Sequence, residues 1–177
     1  MHRVKHIFVW LNRLTHCRGF GIQSPTDYWL VRYVVNEHWP YYHYATVGQN
    51  DDWLRRKLGC LYMRLANWRQ PKVVVSDDYV EYFVAGCHRS EVVKPDEFKG
   101  DKLQLVRLDA GAIDDLSPII DKVDERTVLV VEGIWRYKQL WRQIVDDERT
   151  GVTFDLYYCG IVLFDKQRIK QHYIINF

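Results

Sequence analysis

The sequence predicts an α/β domain: a shortened, mostly parallel sheet with antiparallel C-terminal strands, behind an N-terminal helical region. Three observations predict it. Short apolar runs, Lys72–Ser76, Leu103–Leu108 and Thr127–Val131, read as strands covered on both faces. Segments with apolar residues three or four apart separate them, as crossover helices do. After Gly151 the period changes to two, which fits strands at a sheet edge. The 177 residues suit one compact unit, with a helical region over 1–70 packed on a sheet domain over 71–177.

Val4, Ile7, Phe8, Leu11 and Leu14 form one stripe of an N-terminal helix, with Arg3, Lys5, Asn12 and Arg13 opposite. Such a helix packs on its own domain or on a sister subunit; the alternatives are a membrane surface or nucleic acid. Arg18–Pro25 is a loop. Gly19 and Gly21 follow no strand, so they are not a dinucleotide fingerprint. Ser24 caps the next helix, Pro25 takes its first position and Asp27 closes the box. That helix runs to about Glu37. Pro40 ends it, and Tyr41–Tyr44 open an aromatic loop. Asp51 and Asp52 cap a third helix, whose Leu54, Leu58, Leu61 and Leu65 face the core; Arg55, Arg56, Arg64 and Arg69 read as solvated charges.

Pro71 precedes the first strand, Lys72–Ser76, and Asp77–Ala85 reads as the helix after it. The polar stretch from Cys87 to Lys102 holds at most one short strand, near Glu91–Lys94. Leu103–Leu108 is a strand ending at Asp109. Ile113, Leu116, Ile119 and Val123 suggest a helix starting late, because Pro118 is best tolerated in a first turn. Thr127–Val131 ends at Glu132 and Gly133. Tyr137, Trp141, Ile144 and Glu148 mark one more helix face. Val152–Tyr158, Gly160–Phe164 and Ile169–Phe177 are the closing strands.

Composition excludes several classes. The net charge of +2 is close to balanced, which argues against a chain-wide nucleic-acid surface. No apolar run approaches about 18 residues, so no membrane span is expected. Ile7–Leu11 is short and lacks a cleavage site after it, so the expected location is cytoplasmic. Cys17, Cys60, Cys87 and Cys159 are scattered and form no metal-ligand pair, so reduced thiols are expected. Ser76, Ser90 and Ser117 sit in no nucleophile elbow. Of the seven histidines only His2 and His6 are spaced four apart, and none has a partner that would make it a base. With 15% aromatic residues, large contact surfaces are expected in the core or between subunits.

The alternation of strands and helices suggests a Rossmann-like sheet. Arg18-Gly-Phe-Gly-Ile-Gln-Ser-Pro25, Pro40-Tyr-Tyr-x-Tyr44, Lys57-Leu-Gly-x-Leu-x-x-Arg-Leu-Ala-Asn67, Phe154-Asp-Leu-x-x-x-Gly-Ile-Val-x-Phe164 and Lys170-Gln-His-Tyr-Ile-Ile-x-Phe177 add to this. Together they resemble a bacterial, O-methyltransferase-like branch of the class I S-adenosylmethionine-dependent methyltransferases. The resemblance covers both ends of the chain.

What the resemblance implies can be placed residue by residue. The cofactor loop would follow the first strand, at Val73-Val-Val-Ser-Asp-Asp-Tyr79, which puts Ser76, Asp77 and Asp78 at cofactor-binding positions. That loop has no glycine, and Tyr79 brings bulk where the backbone should approach the cofactor. Asp77 or Asp78 stands for the family's acid or caps the following helix. The family's second strand, its helix and the third strand are shortened or lost. Leu103–Leu108 matches the fourth strand with Asp109 at its acidic position, a further cofactor-binding candidate, and Thr127–Val131 the fifth with Glu132. Asp109 and Glu132 are therefore the candidate catalytic residues and the candidate carboxylate ligands of a divalent metal.

The expected function is a methyltransferase-like protein that is non-catalytic, with an eroded S-adenosylmethionine site and no bound cofactor. It would act by binding a protein partner or by self-association as a homo-oligomer, through Trp39 with Tyr41–Tyr44 or through the N-terminal helix. One alternative is an active O-methyltransferase on a small molecule, keeping S-adenosylmethionine. Another is a nucleic-acid-associated module using Arg55, Arg56, Lys57, Arg64 and Arg69 on one helix.

Overall fold

A computed structural model describes the backbone over residues 2–177 and the side chains over residues 6–177. The His2–His6 pairing and the sequence readings of Arg3, Val4 and Lys5 side chains lie outside the described residues.

Seven strands form one sheet in the order β2-β1-β3-β4-β6-β5-β7. The parallel part is β2 (Glu91–Val93), β1 (Val73–Val75), β3 (Leu105–Asp109) and β4 (Val128–Glu132). β6 (Cys159–Leu163) runs antiparallel to both β4 and β5 (Val152–Asp155), and β7 (Gln171–Ile174) lies parallel to β5 at the far edge. The expected Rossmann-like, mostly parallel α/β sheet with an antiparallel C-terminal portion is therefore present. The polar stretch after Gly86 yields only the three-residue edge strand β2.

Helix α3 (Trp53–Arg69) belongs to the sheet domain's own core. Its Leu58, Leu61, Tyr62 and Leu65 are buried with Val74, Leu105 and Phe154. α3 lies against α4 (Val80–Gly86) at close range. A Cβ on Gly86 would fall inside contact with the Met63 carbonyl, so only glycine permits this approach. On the opposite face, α6 (Lys138–Asp146) and the short α5 (Ser117–Ile120) cover Val106, Leu129, Val131 and Val162.

Two of the expected caps form, while Asp27 closes no capping box and pairs instead with Arg168. The Asp52 carboxylate accepts from the Arg55 amide at 2.9 Å, and Ser24 Oγ from the Asp27 amide at 3.4 Å. Helix α2 (Pro25–Leu30) continues as a π-helical turn, Val31–Val35, in which the Asn36 amide donates to the Val31 carbonyl at 2.9 Å. The buried Arg64 guanidinium bonds the Val34 and Val35 carbonyls that this turn leaves without partners.

Four expectations need correction. Arg55, Arg56, Arg64 and Arg69 are not free surface charges. Arg55 pairs with Asp78 and Asp51, Arg56 bonds the Gly48 and Tyr44 carbonyls, and Arg69 bonds the Arg126 carbonyl. Helical spacing gives a residue's direction, not the acceptors waiting there. The helix placed at Asp77–Ala85 starts only at Val80, because Tyr79 has φ +59°, which no right-handed helix accommodates. The helix suggested by Ile113 to Val123 shrinks to Ser117–Ile120: Pro118 denies it an earlier turn, and the Lys122 carbonyl turns to the Leu103 amide. Finally, of the two placements expected for the stripe of α1 (His2–Asn12), packing on its own domain does not hold for the described residues. Ile7, Phe8 and Leu11 are exposed, as is Leu14 just beyond the helix.

Candidate functional site

In an open α/β sheet, ligands dock outside the C-terminal strand ends, where successive connections leave in opposite directions. Here the chain passes from β1 outward to β2 and then back across β1 to β3. The crevice thus lies between the ends of β1 and β3, beside β4. Ser76, Asp77, Asp78, Asp109 and Glu132 all reach this region, as the sequence predicts.

Alternation along β3 and β4 puts Leu105, Arg107, Val128, Val130 and Glu132 toward the α3–α4 side. Arg107 is a charge in the middle of an apolar run, with a side chain only 5% exposed. Its guanidinium grips Glu132 Oε2 through Nε at 3.0 Å and Nη2 at 2.7 Å, and donates through Nη1 to Asp77 Oδ1 at 2.6 Å. The Tyr62 hydroxyl donates to the same Glu132 oxygen at 2.8 Å, and the Tyr79 hydroxyl to Oε1 at 3.1 Å. Both carboxylate oxygens of Glu132 are therefore occupied by donors.

Tyr79 occupies the centre of the crevice. It stands where the resemblance expects a glycine-rich turn, and its φ is one that glycine adopts freely and a tyrosine only at a cost of about 1–2 kcal/mol. The ring is held there on every side. It is 3% exposed, edge-on to Tyr62 at 4.8 Å, with the Arg55 guanidinium 4.5 Å and that of Arg107 5.2 Å from its centroid. Arg55 in turn grips Asp78 with two bonds, of 2.6 and 2.8 Å.

The electrostatics follow from these contacts. Burial, and next the charge of Glu132, push the Tyr79 hydroxyl well above its ordinary range. Burial does the same to Tyr62. Burial alone would lower Arg107, but Glu132 more than offsets it and the guanidinium stays firmly charged. The Arg55 bonds hold the Asp78 carboxyl below the usual carboxylate range. None of these groups is poised to exchange a proton near neutral pH.

The other predicted residues are engaged locally. Ser76 Oγ donates to the Asp78 carbonyl at 2.7 Å. Asp77 and Asp78 serve as ion-pair partners, so the expected helix cap is absent: Tyr79 is the N-cap residue and makes no side-chain cap bond. Asp109 and Glu132 sit at paired register positions on β3 and β4. Asp109 Oδ1, however, accepts from the Gly111 amide at 2.8 Å, while Glu132 turns to Arg107. No group of three or more His, Cys, Asp or Glu side chains able to hold a metal occurs among the described residues.

Sequence reasoning missed Arg107, Tyr62 and Arg55 as members of this network. The signal for Arg107 was available: an arginine inside a strand buried on both faces requires a buried counter-charge. Nothing local identifies that partner, which lies 25 residues away. Tyr41 and Tyr44 turn inward to Glu37 and Arg64, while Trp39 and Tyr42 stay exposed. All four cysteines are free thiols. A cleft of about 360 Å³ lies beside α6, lined by Trp135, Lys138, Trp141, Arg142 and His172 among others. No helix among the described residues is long and apolar enough to cross a membrane.

Comparison with protein-family models, with curated proteins and with solved structures returns no match to this chain.

Proposed function

We propose that this chain is a methyltransferase-like domain that has exchanged its S-adenosylmethionine site for a structural network and works by binding, without catalysis. One observation carries this reading. The ring of Tyr79, in a backbone conformation suited to glycine, fills the strand-end crevice and is fixed there by Arg55, Arg107 and Glu132. A nucleoside entering the crevice would have to displace a buried aromatic ring. It would also have to break into an ion pair whose charges are already mutually satisfied.

The candidate acids support the same reading. Glu132 is neutralised by Arg107, and Asp109 closes a turn, so neither is free to hold a ribose or act as a base. The five cations of α3 give no support to a nucleic-acid role, since Arg55, Arg56, Arg64 and Arg69 spend their donors inside the molecule. Lys57 is half-buried over the Phe177 ring, 4.3 Å from its centroid.

The test is titration calorimetry of the full chain with S-adenosylmethionine and, separately, with its demethylated product. No saturable heat is expected from either up to millimolar ligand. Micromolar binding of either one overturns the proposal.

A further inference from the structure

Helix α1 is mounted with its polar side inward. His6 bonds the Tyr158 hydroxyl and lies over Trp53 at 4.5 Å. Arg13, just past the helix end, reaches into the domain to the Asp155 carboxylate at 2.8 Å and to the Asp155 and Ile175 carbonyls. The Trp10 carbonyl accepts from Asn176 at 3.1 Å. His6 and Arg13 thus engage the domain, and the apolar residues among the described side chains are left uncovered. Ile7 is 58% exposed, Phe8 62%, Trp10 49%, and Leu11 and Leu14 46% each. A helix that exposes its apolar stripe has its packing partner elsewhere.

From these observations we infer that the partner is a second copy of this chain, joined by pairing α1 against α1 about a two-fold axis. This inference deepens the binding role proposed above and rests on it. The spacing fits a helix pair. Within α1, Ile7 and Leu11 lie four residues apart on one face, and Leu14 follows just beyond the helix end. Phe8 and Trp10 flank the seam as large anchors. The area fits as well. Five such side chains, half exposed, present about 500 Å² per copy, so a pair buries at most about 1,000 Å², the lower bound for a specific interface.

The competing occupant, a lipid surface, would engage the same stripe.

Sedimentation velocity of the full chain tests the inference. At tens of micromolar the wild type is expected at twice the 21.3 kDa chain mass. Ile7→Asp combined with Leu11→Asp should raise the dimer dissociation constant by at least about 100-fold, because two charges would be buried in the seam. Both side chains are exposed in the single chain, so its far-UV circular dichroism should not change. Tyr42→Asp, at an exposed aromatic outside α1, should leave the dimer intact. A monomeric wild type, a dimer that survives the double substitution, a dimer lost in Tyr42→Asp, or a wild type that binds anionic vesicles as a monomer through α1 overturns the inference. The calorimetry fails independently: a dimer that binds S-adenosylmethionine refutes the proposed function and leaves the α1 pairing standing.

Discussion

The two faces of the sheet are held together by different physics. Under α3 and α4 the core contains Tyr62, Tyr79 and Phe83, and within it a buried arginine, a carboxylate and the two tyrosine hydroxyls that bond it. Under α6 the core is Val106, Leu129, Val131, Val162, Phe164, Ile144 and the ring of Trp141. The first face depends on partners, so removing one member strands another. The second depends on shape, so its weakness is volume. At the strand ends of the first face, both oxygens of Glu132 are satisfied internally.

The comparison is broken most readily at Arg107. Arg107→Met leaves Glu132 buried without a counter-charge and should cost about 3–5 kcal/mol in urea unfolding. Adding Glu132→Gln should recover a good part of that, since the stranded charge is removed with its partner. A loss below about 1 kcal/mol for the single substitution would show that the network is solvated and that the two faces do not differ.

On the apolar face the corresponding change is Gly160→Ala. A methyl group there falls inside van der Waals distance of the Trp141 ring, which is buried and has little room to move. The expected loss is about 1–3 kcal/mol by the same measurement. No second substitution of a charged residue should rescue it.

The two faces also differ in their response to alkali. Tyr62 and Tyr79 have folded-state pKa values raised above the unfolded value, by burial first and Glu132 next for Tyr79. Their stabilisation is therefore complete below about pH 10 and is lost as pH rises, because the unfolded chain ionises first. Each adds a slope of up to about 1.4 kcal/mol per pH unit. Tyrosinate absorbance from these two rings should appear only together with unfolding. Appearance of their signal in the folded chain near pH 10 would contradict their burial.

How far the sequence could be read depends on whether a signal is local. β1, β3 and β4 were legible because apolar runs of β-branched residues report burial on both faces without reference to any partner. The caps at Ser24 and Asp52 were legible for the same reason. Tyr79 could be suspected from its bulk in a turn without glycine, but its left-handed φ comes from contacts with Arg55, Arg107 and Glu132 contributed by three other elements. The arginines of α3 were misread because their acceptors are carbonyls and acids contributed by distant loops. Helix α1 shows the limit most plainly. Its period gave the apolar stripe correctly, yet periodicity says nothing about which side meets the domain. The bonds of His6 and Arg13 decided that.

The account turns on Tyr79 filling the strand-end crevice. A crystal of the full chain soaked in millimolar S-adenosylhomocysteine, the demethylated product, tests it directly. The prediction is density for the Tyr79 ring buried against Glu132 and Arg107, with no nucleoside beside it. A nucleoside bound between the ends of β1 and β3, with that ring displaced, would contradict the account.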